Sequence, residues 1–375
     1  MFKLVWKIIS YALLIMLFVS ACKPTTQPAQ VPNSTSKAGT ILWTYATQGE
    51  VWSSPTIAKG VVYFGSDDKS VYAVDTTTHQ ARWKFITGGI VRSRPAVSGK
   101  MVYVASDDGT LYALDASSGK EKWKADLDSA KIPARGDLSH GYDYLQSSPA
   151  VADGIVYVGS GAGEVDAFDA LTGQRIWQFM TTSRVRSSPT VVDGTVFIGD
   201  GNGNLYALNA KSGTELWKAE GCDNPTPAIA DGLVYCGSRA YWEQAWDTKT
   251  GQKRWMFSFG DSWVESSARV VDGVLYVGSS DLADLFALDS ATGNLKWKFN
   301  VRGFAWCSPA IANGVVYIGA YDYGTDAGFF AVDAKTGQQK WMLYVHKGIV
   351  SSPTIVAGVV YFGSLDGNLY AVKAD

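Results

Sequence analysis

The chain has 375 residues, with 33 Lys and Arg against 35 Asp and Glu, a formal net charge of −2. Hydrophobic residues make up 46% and charged residues 18%, which supplies a core and excludes a mainly disordered chain. Without a basic excess to neutralise phosphates, nucleic acid is not expected as a partner. Three His and no C-x-x-C or H-E-x-x-H leave zinc and haem-attachment readings without support.

The first 21 residues read as a signal peptide. Lys3 and Lys7 form a positive start, and Ile8 to Val19 is apolar but shorter than the ~20 residues of a membrane span. The run Val19-Ser20-Ala21-Cys22 resembles the bacterial lipobox. That resemblance implies cleavage before Cys22 and acylation of it, an anchor in which each buried CH₂ contributes ~0.8 kcal/mol. Residues 22–39 then form the lipidated Cys and a tether rich in Pro, Thr, Ser and Gln, with a reach of ~23 Å. Lys23 follows the Cys, where enterobacterial lipoproteins kept at the inner membrane carry Asp. The expected location is therefore the periplasmic side of the outer membrane, or the outer face of the cytoplasmic membrane where there is only one. The lipid would be the only membrane contact.

From 40 to 375 one period organises the chain. Trp recurs at Trp43, Trp83, Trp123, Trp177, Trp217, Trp255, Trp297 and Trp341. Each unit divides into four short Val- and Tyr-rich runs separated by turn residues, as in RPAVSG, MVYVASD, TLYALDA and EKWKA. The prediction is an all-β, eight-bladed propeller with four antiparallel strands per blade. The last unit ends without its Trp strand, while TILWTY at the start has a Trp strand and no blade. The N-terminal strand is therefore expected to close the ring and remove an open sheet edge.

The element D-A-x-T-G-x-x-x-W is carried by DASSGKEKW (115–123), DALTGQRIW (169–177), NAKSGTELW (209–217), DTKTGQKRW (247–255), DSATGNLKW (289–297) and DAKTGQQKW (333–341). It resembles the pyrroloquinoline-quinone-type propeller repeat over residues 41–375. The resemblance implies that each Trp docks between blades near the turn Gly of a neighbouring unit. In DTTTHQARW (75–83), His79 stands where Gly is expected, and it should keep the tight turn at some cost.

Loop lengths separate the two faces of such a ring. The A–B and C–D turns are nearly constant. The D–A and B–C connections hold every large change, including the long connection before Pro149 and the extensions at Ser279 to Asp284 and Ala320 to Gly328. Three residues before each aligned Pro (Ala268 once) stand Trp52, Arg92, Gln146, Arg186, Asn224, Glu265, Trp306 and Val350. These are expected to ring the channel mouth on the variable face, and the first seven are the candidate binding residues. Arg suits carboxylates, and Trp suits flat or apolar groups. Arg94, Arg184, Trp263 and Arg302 lie close by in sequence, and Trp242, Tyr142, Tyr144, Tyr321 and Tyr323 decorate the loops of that face.

Quinone enzymes with this repeat hold the cofactor between a Trp and a disulfide of adjacent Cys, with Ca²⁺ on Glu, Asn and Asp. This chain has no Cys-Cys pair. After Cys22 it has Cys222, Cys236 and Cys307, an odd number for an exported protein, and Cys236 aligns with the apolar Val104, Val158 and Ile318. Asp223, Asn224 and Glu265 match a calcium set in type but form no recognised spacing. The expectation is a monomeric, noncatalytic envelope scaffold for protein partners, with no metal and no cofactor. In length, lipobox and blade count it is similar to the lipoproteins of outer-membrane β-barrel assembly. Two alternatives stay open: capture of an anionic or carbohydrate ligand at the mouth, and a quinone-dependent dehydrogenase.

Overall fold

The computed structural model describes residues 37–127, 146–322 and 327–374. Its elements are 32 β-strands, in eight antiparallel sheets of four, and no helix occurs among the described residues. Blade 1 is β2 (Thr56–Ala58), β3 (Val61–Ser66), β4 (Ser70–Asp75) and β5 (Ala81–Ile86). Blades 2 to 7 repeat this order along the chain. The eighth sheet runs β1 (Ile41–Ala46), β32 (Asn368–Lys373), β31 (Val359–Gly363) and β30 (Thr354–Val356), so the N-terminal strand supplies its outer strand. Its register runs from Ile41 opposite Val372 to Ala46 opposite Asn368.

Burial follows position in the blade. The middle strands β3 (VVYFGS) and β4 (SVYAVD) are buried almost throughout because a neighbouring blade covers each face. The outer strand β5 (ARWKFI) alternates and buries Trp83. Apolar clusters fill each interface between adjacent blades. Tyr103 and Trp123 of blade 2 meet Val156 and Phe168 of blade 3, and Phe64 and Tyr72 of blade 1 meet Tyr361 and Leu369 of blade 8 beside Trp43 and Tyr45.

The repeat Trp lock one blade to the next. Trp83 Nε1 donates to the Ala116 carbonyl of blade 2 at 3.0 Å. A Cβ on Gly119 there, at φ +69°, would sit 2.6 Å from the Trp83 ring. Glycine thus serves both the left-handed turn and the close approach. Trp123, Trp177, Trp217, Trp255, Trp297 and Trp341 make the same bond to the next blade. Trp43 does not. Its partner turn holds His79 at φ 60°, and the indole stacks on the imidazole at 4.9 Å.

The mouth of the channel as candidate functional site

The D–A and B–C connections share one face. Asp67 N–H bonds to the Glu50 carbonyl, Gly201 N–H to Arg184 and Ser280 N–H to Trp263, so each B–C turn is tied to a strand-entering segment at 2.8 to 2.9 Å. The C–D turns lie with the A–B turns instead, as in Ala116 N–H to the Lys100 carbonyl. At the centre of the variable face a cavity of about 320 Å³ is lined by all eight ring positions, Trp52, Arg92, Gln146, Arg186, Asn224, Glu265, Trp306 and Val350.

Hydroxyl residues behind the ring, Ser in most blades, explain why that position varies. The residue two places on repeats as Ser54, Ser148, Ser188, Thr226, Ser267, Ser308 and Ser352. Its hydroxyl accepts the backbone N–H of the equivalent residue in an adjacent blade, from Arg94 N–H on Ser148 round to Ser352 N–H on Ser54. Between these residues and the ring lie the buried Ser53, Ser93, Ser147, Ser187, Ser266 and Ser351, and Ser147, Ser187 and Ser351 accept an N–H of the same blade's second strand. Except at Gln146, which accepts the Arg92 and Ser93 N–H groups, the backbone is satisfied without the ring side chain.

Several ring residues are held by neighbours. The Arg92 guanidinium lies 4.1 Å over the Trp52 ring and is ion-paired to Asp67. Gln146 is largely occupied: Oε1 accepts the Arg92 and Ser93 N–H groups, and Nε2 donates to Asp107 at 2.8 Å. Glu265 is ion-paired to Arg239, whose guanidinium reaches over Trp263. Burial pushes the Glu265 carboxyl up, and Arg239 pulls it the other way. Burial likewise raises Asp223, next to Asn224, although it accepts N–H groups from Arg239 and Asn224. Trp306 stacks on Tyr321 at 4.6 Å and on Phe304 at 5.3 Å, and its Nε1 donates to Ser280 Oγ at 2.7 Å. Arg186 is 9% exposed. The mouth thus has an aromatic, apolar sector around Trp306 and a cationic sector around Arg92 and Arg186.

Arg94 and Trp263 join the lining, whereas Arg184 and Arg302 do not. Tyr142, Tyr144 and Tyr323 lie outside the described residues, as do Cys22 and most of the long connection before Pro149. Reasoning from sequence missed Arg239 and Arg269, which also line the cavity. Arg269 had a signal, since its column otherwise holds Thr56, Ala96, Ala150, Thr190, Ala228, Ala310 and Thr354.

Sequence reading also missed a disulfide. Cys222 is bonded to Cys236, 14 residues on, and only the buried Cys307 is a free thiol among the described residues. Cys236 does occupy an apolar strand position, and both bridge partners are fully buried with Phe197 and Trp246. The bridge lies in the core between blades rather than in the cavity lining, so it offers no platform for a quinone. The residues at the mouth do not fit that cofactor.

The family model described as outer membrane protein assembly factor BamB matches residues 17–89, 82–226, 133–261 and 242–375. The chain belongs to this family. Among its curated relatives, the assembly factor BamB of Salmonella typhimurium is 31% identical over 100 residues, 24% of this chain and 25% of the relative. That of Escherichia coli K12 is 35% identical over 97 residues, 24% of each chain. The matched stretch therefore spans about a quarter of these relatives' length. Among solved structures, BamB from Moraxella catarrhalis superposes with a TM-score of 0.73 at 18% identity, covering 90% of this chain and 100% of that one. A europium-containing methanol dehydrogenase gives 0.71 at 16% identity, covering 88% and 84%. At these identities the likeness is one of fold, and the propeller is common to family members and dehydrogenases alike.

Proposed function

We propose that the protein is a noncatalytic envelope scaffold in outer-membrane protein assembly, held by a lipid on Cys22 and binding protein partners through the variable-loop face. The observation that carries this reading is the family match, whose segments run from 17 to 375 and whose relatives are described as outer-membrane protein assembly factors. The choice of face rests on the mouth. Apart from Gln146, its ring side chains are released from backbone duty, and Phe304, Trp306 and Tyr321 gather there as the aromatic type that anchors protein interfaces.

Copurification of envelope proteins with the tagged full chain tests the proposal. Trp306→Ala and Arg186→Ala should each weaken recovery of a barrel-protein partner. A hot-spot truncation costs about 2 kcal/mol, roughly thirtyfold in affinity. Lys211→Ala and Gln252→Ala, in C–D turns on the opposite face, should be neutral. Loss of the partner with the C–D changes but not with Trp306 or Arg186 would place the interface on the other face. Cys22→Ala should leave an unprocessed precursor that takes up no labelled palmitate, and normal labelling would remove the anchor from the proposal.

A further inference from the structure

The hydroxyl belt around the channel is broken at one place. Seven blades carry Ser or Thr in the belt column, and the second carries Arg94. No hydroxyl is available there. The guanidinium instead extends across the first blade, with Nε 3.0 Å from Thr56 Oγ1 and Nη2 3.2 Å from Thr354 Oγ1 in the eighth. Thr56 and Thr354 belong to the column in which Arg269 is the only charged residue. Arg94 therefore reaches the level of Arg269. Arg269 stands at the start of the sixth blade, four blades from the second, so the two approach from opposite sides of an eight-bladed ring.

We infer that the channel binds a small polyvalent oxyanion, of phosphate or dicarboxylate type, between Arg94 and Arg269. Among the described residues, five arginines line the cavity, Arg92, Arg94, Arg186, Arg239 and Arg269, with Glu265 as the one carboxylate. Glu265 is held by Arg239, and Arg92 by Asp67. The described partners of Arg94 are neutral hydroxyls, and no described carboxylate pairs with Arg269. Arg94 is half-buried and Arg269 is exposed to the channel, and desolvation by the channel wall pulls both guanidiniums below their ordinary range, Arg94 to about 10, with the charge of Arg269 contributing at Arg94. Two like charges facing one cavity repel, and an anion between them relieves the repulsion. Each planar fork can present two N–H groups to one oxyanion. Nothing in this inference depends on the scaffold reading, and either can fail alone.

The test is thermal unfolding and calorimetric titration of the full chain in detergent, with phosphate or malonate compared against chloride at equal ionic strength. The wild type should gain a few degrees in Tm with at least one of the two anions. Arg94→Ser and Arg269→Thr install residues that other blades carry, so the blade geometry is kept. Each should weaken binding roughly tenfold or more, as loss of a charge-assisted pair does, and the double variant should lose the shift. Arg82→Ala, an exposed arginine paired to Asp75 on the other face, should retain it. If Arg94→Ser does not fold, Arg269→Thr carries the same reading alone. A wild type that responds to neither anion beyond chloride, or an Arg269→Thr variant that responds as the wild type does, would overturn the site.

Discussion

On one face of the ring, seven C–D turns repeat the same contacts. The side chain of Asp75, Asp115, Asp169, Asn209, Asp247, Asp289 or Asp333 accepts the N–H three residues on. Hydrogen bonds within these turns hold the six carboxyls below their usual range, Asp75 at about 2 chiefly through the Thr78 N–H, Asp115 and Asp333 chiefly through the Ser117 and Thr336 hydroxyls, and Asp247 and Asp289 chiefly through Arg254 and Lys296. On the other face the equivalent structural duty falls on Ser and Thr hydroxyls, and the ring residue beside them is Trp, Arg, Gln, Asn, Glu or Val. The difference lies in which side chain satisfies the backbone. Where the turn residue does so itself, every copy is alike. Where a neighbour does so, the position is open to chemistry.

The comparison assumes a closed ring, and the largest effect should come from opening it. Deleting residues 40–46 removes the partner of β32 together with Trp43 and Tyr45, which pack against blades 1 and 8. The expected outcome is loss of soluble protein, or a fall in Tm of at least several degrees by calorimetry. Deleting residues 23–36 should leave Tm unchanged. Equal melting of the two deletions would refute closure by β1.

A smaller effect should follow from the mouth-side reinforcement of blade 5. Its Trp217-to-Pro227 connection is two residues shorter than in most repeats, and the Cys222–Cys236 bridge ties that connection to the blade's second strand, β19 (Leu233–Gly237). Replacing Cys222 by Ala and Cys236 by Val, the commoner residue in that column, should cost about 3 kcal/mol, the loop-closure figure for some 15 residues. Chemical denaturation would measure it. No change in midpoint, with or without reductant, would show that packing alone holds the connection.

The period in the sequence made the blades, their number and the closing strand legible, because a propeller repeats one local solution and the unpaired halves at the two ends declare each other. The ring at the mouth was legible for the same reason, as a column whose eight positions hold six residue types. What the repeat hid were departures inside columns expected to be uniform. Cys236 among Val and Ile reads as one more apolar residue until Cys222 is seen beside it. Arg269 among Thr and Ala, and Arg94 among Ser, stand out only once the column is known to face the channel. Glu243 belongs to the same class, at a position filled elsewhere by Val71, Leu111, Val165, Leu205, Leu285, Phe329 and Leu369.

Glu243 is fully buried, neither of its oxygens has a hydrogen-bond partner among the described residues, and burial holds its carboxyl well above the ordinary range. Below the unfolded value, near 4.3, both folded and unfolded forms are protonated and the group costs little. As pH rises past that value, only the unfolded chain ionises freely, so stability falls until the folded carboxyl also titrates. Glu243→Leu should therefore stabilise the protein by about 1 to 3 kcal/mol at neutral pH, the scale of an unsatisfied buried polar group. The gain should shrink towards pH 4. A gain that does not change with pH would assign the effect to packing alone.

The smallest effect concerns the one uniform turn that departs from its own rule. At His79 the backbone keeps φ 60°, which costs a residue with a side chain ~1 to 2 kcal/mol. Its Cβ occupies space that the repeat Trp needs, so Trp43 stacks on the imidazole instead of bonding to the turn carbonyl as the other seven do. His79→Gly should relieve the backbone and let Trp43 donate to Thr76, but it gives up the stack and loosens the unfolded chain by ~0.4 to 1 kcal/mol. The net gain should be only about 0.5 kcal/mol, near 1 °C in Tm for a chain of this size. His79→Ala keeps the strained Cβ and loses the stack, so it should lower Tm. The ordering of the pair is the measurement. If His79→Gly melts as low as His79→Ala, the imidazole stack rather than the glycine turn holds blades 8 and 1 together at this point. The closing interface would then follow a different rule from the other seven.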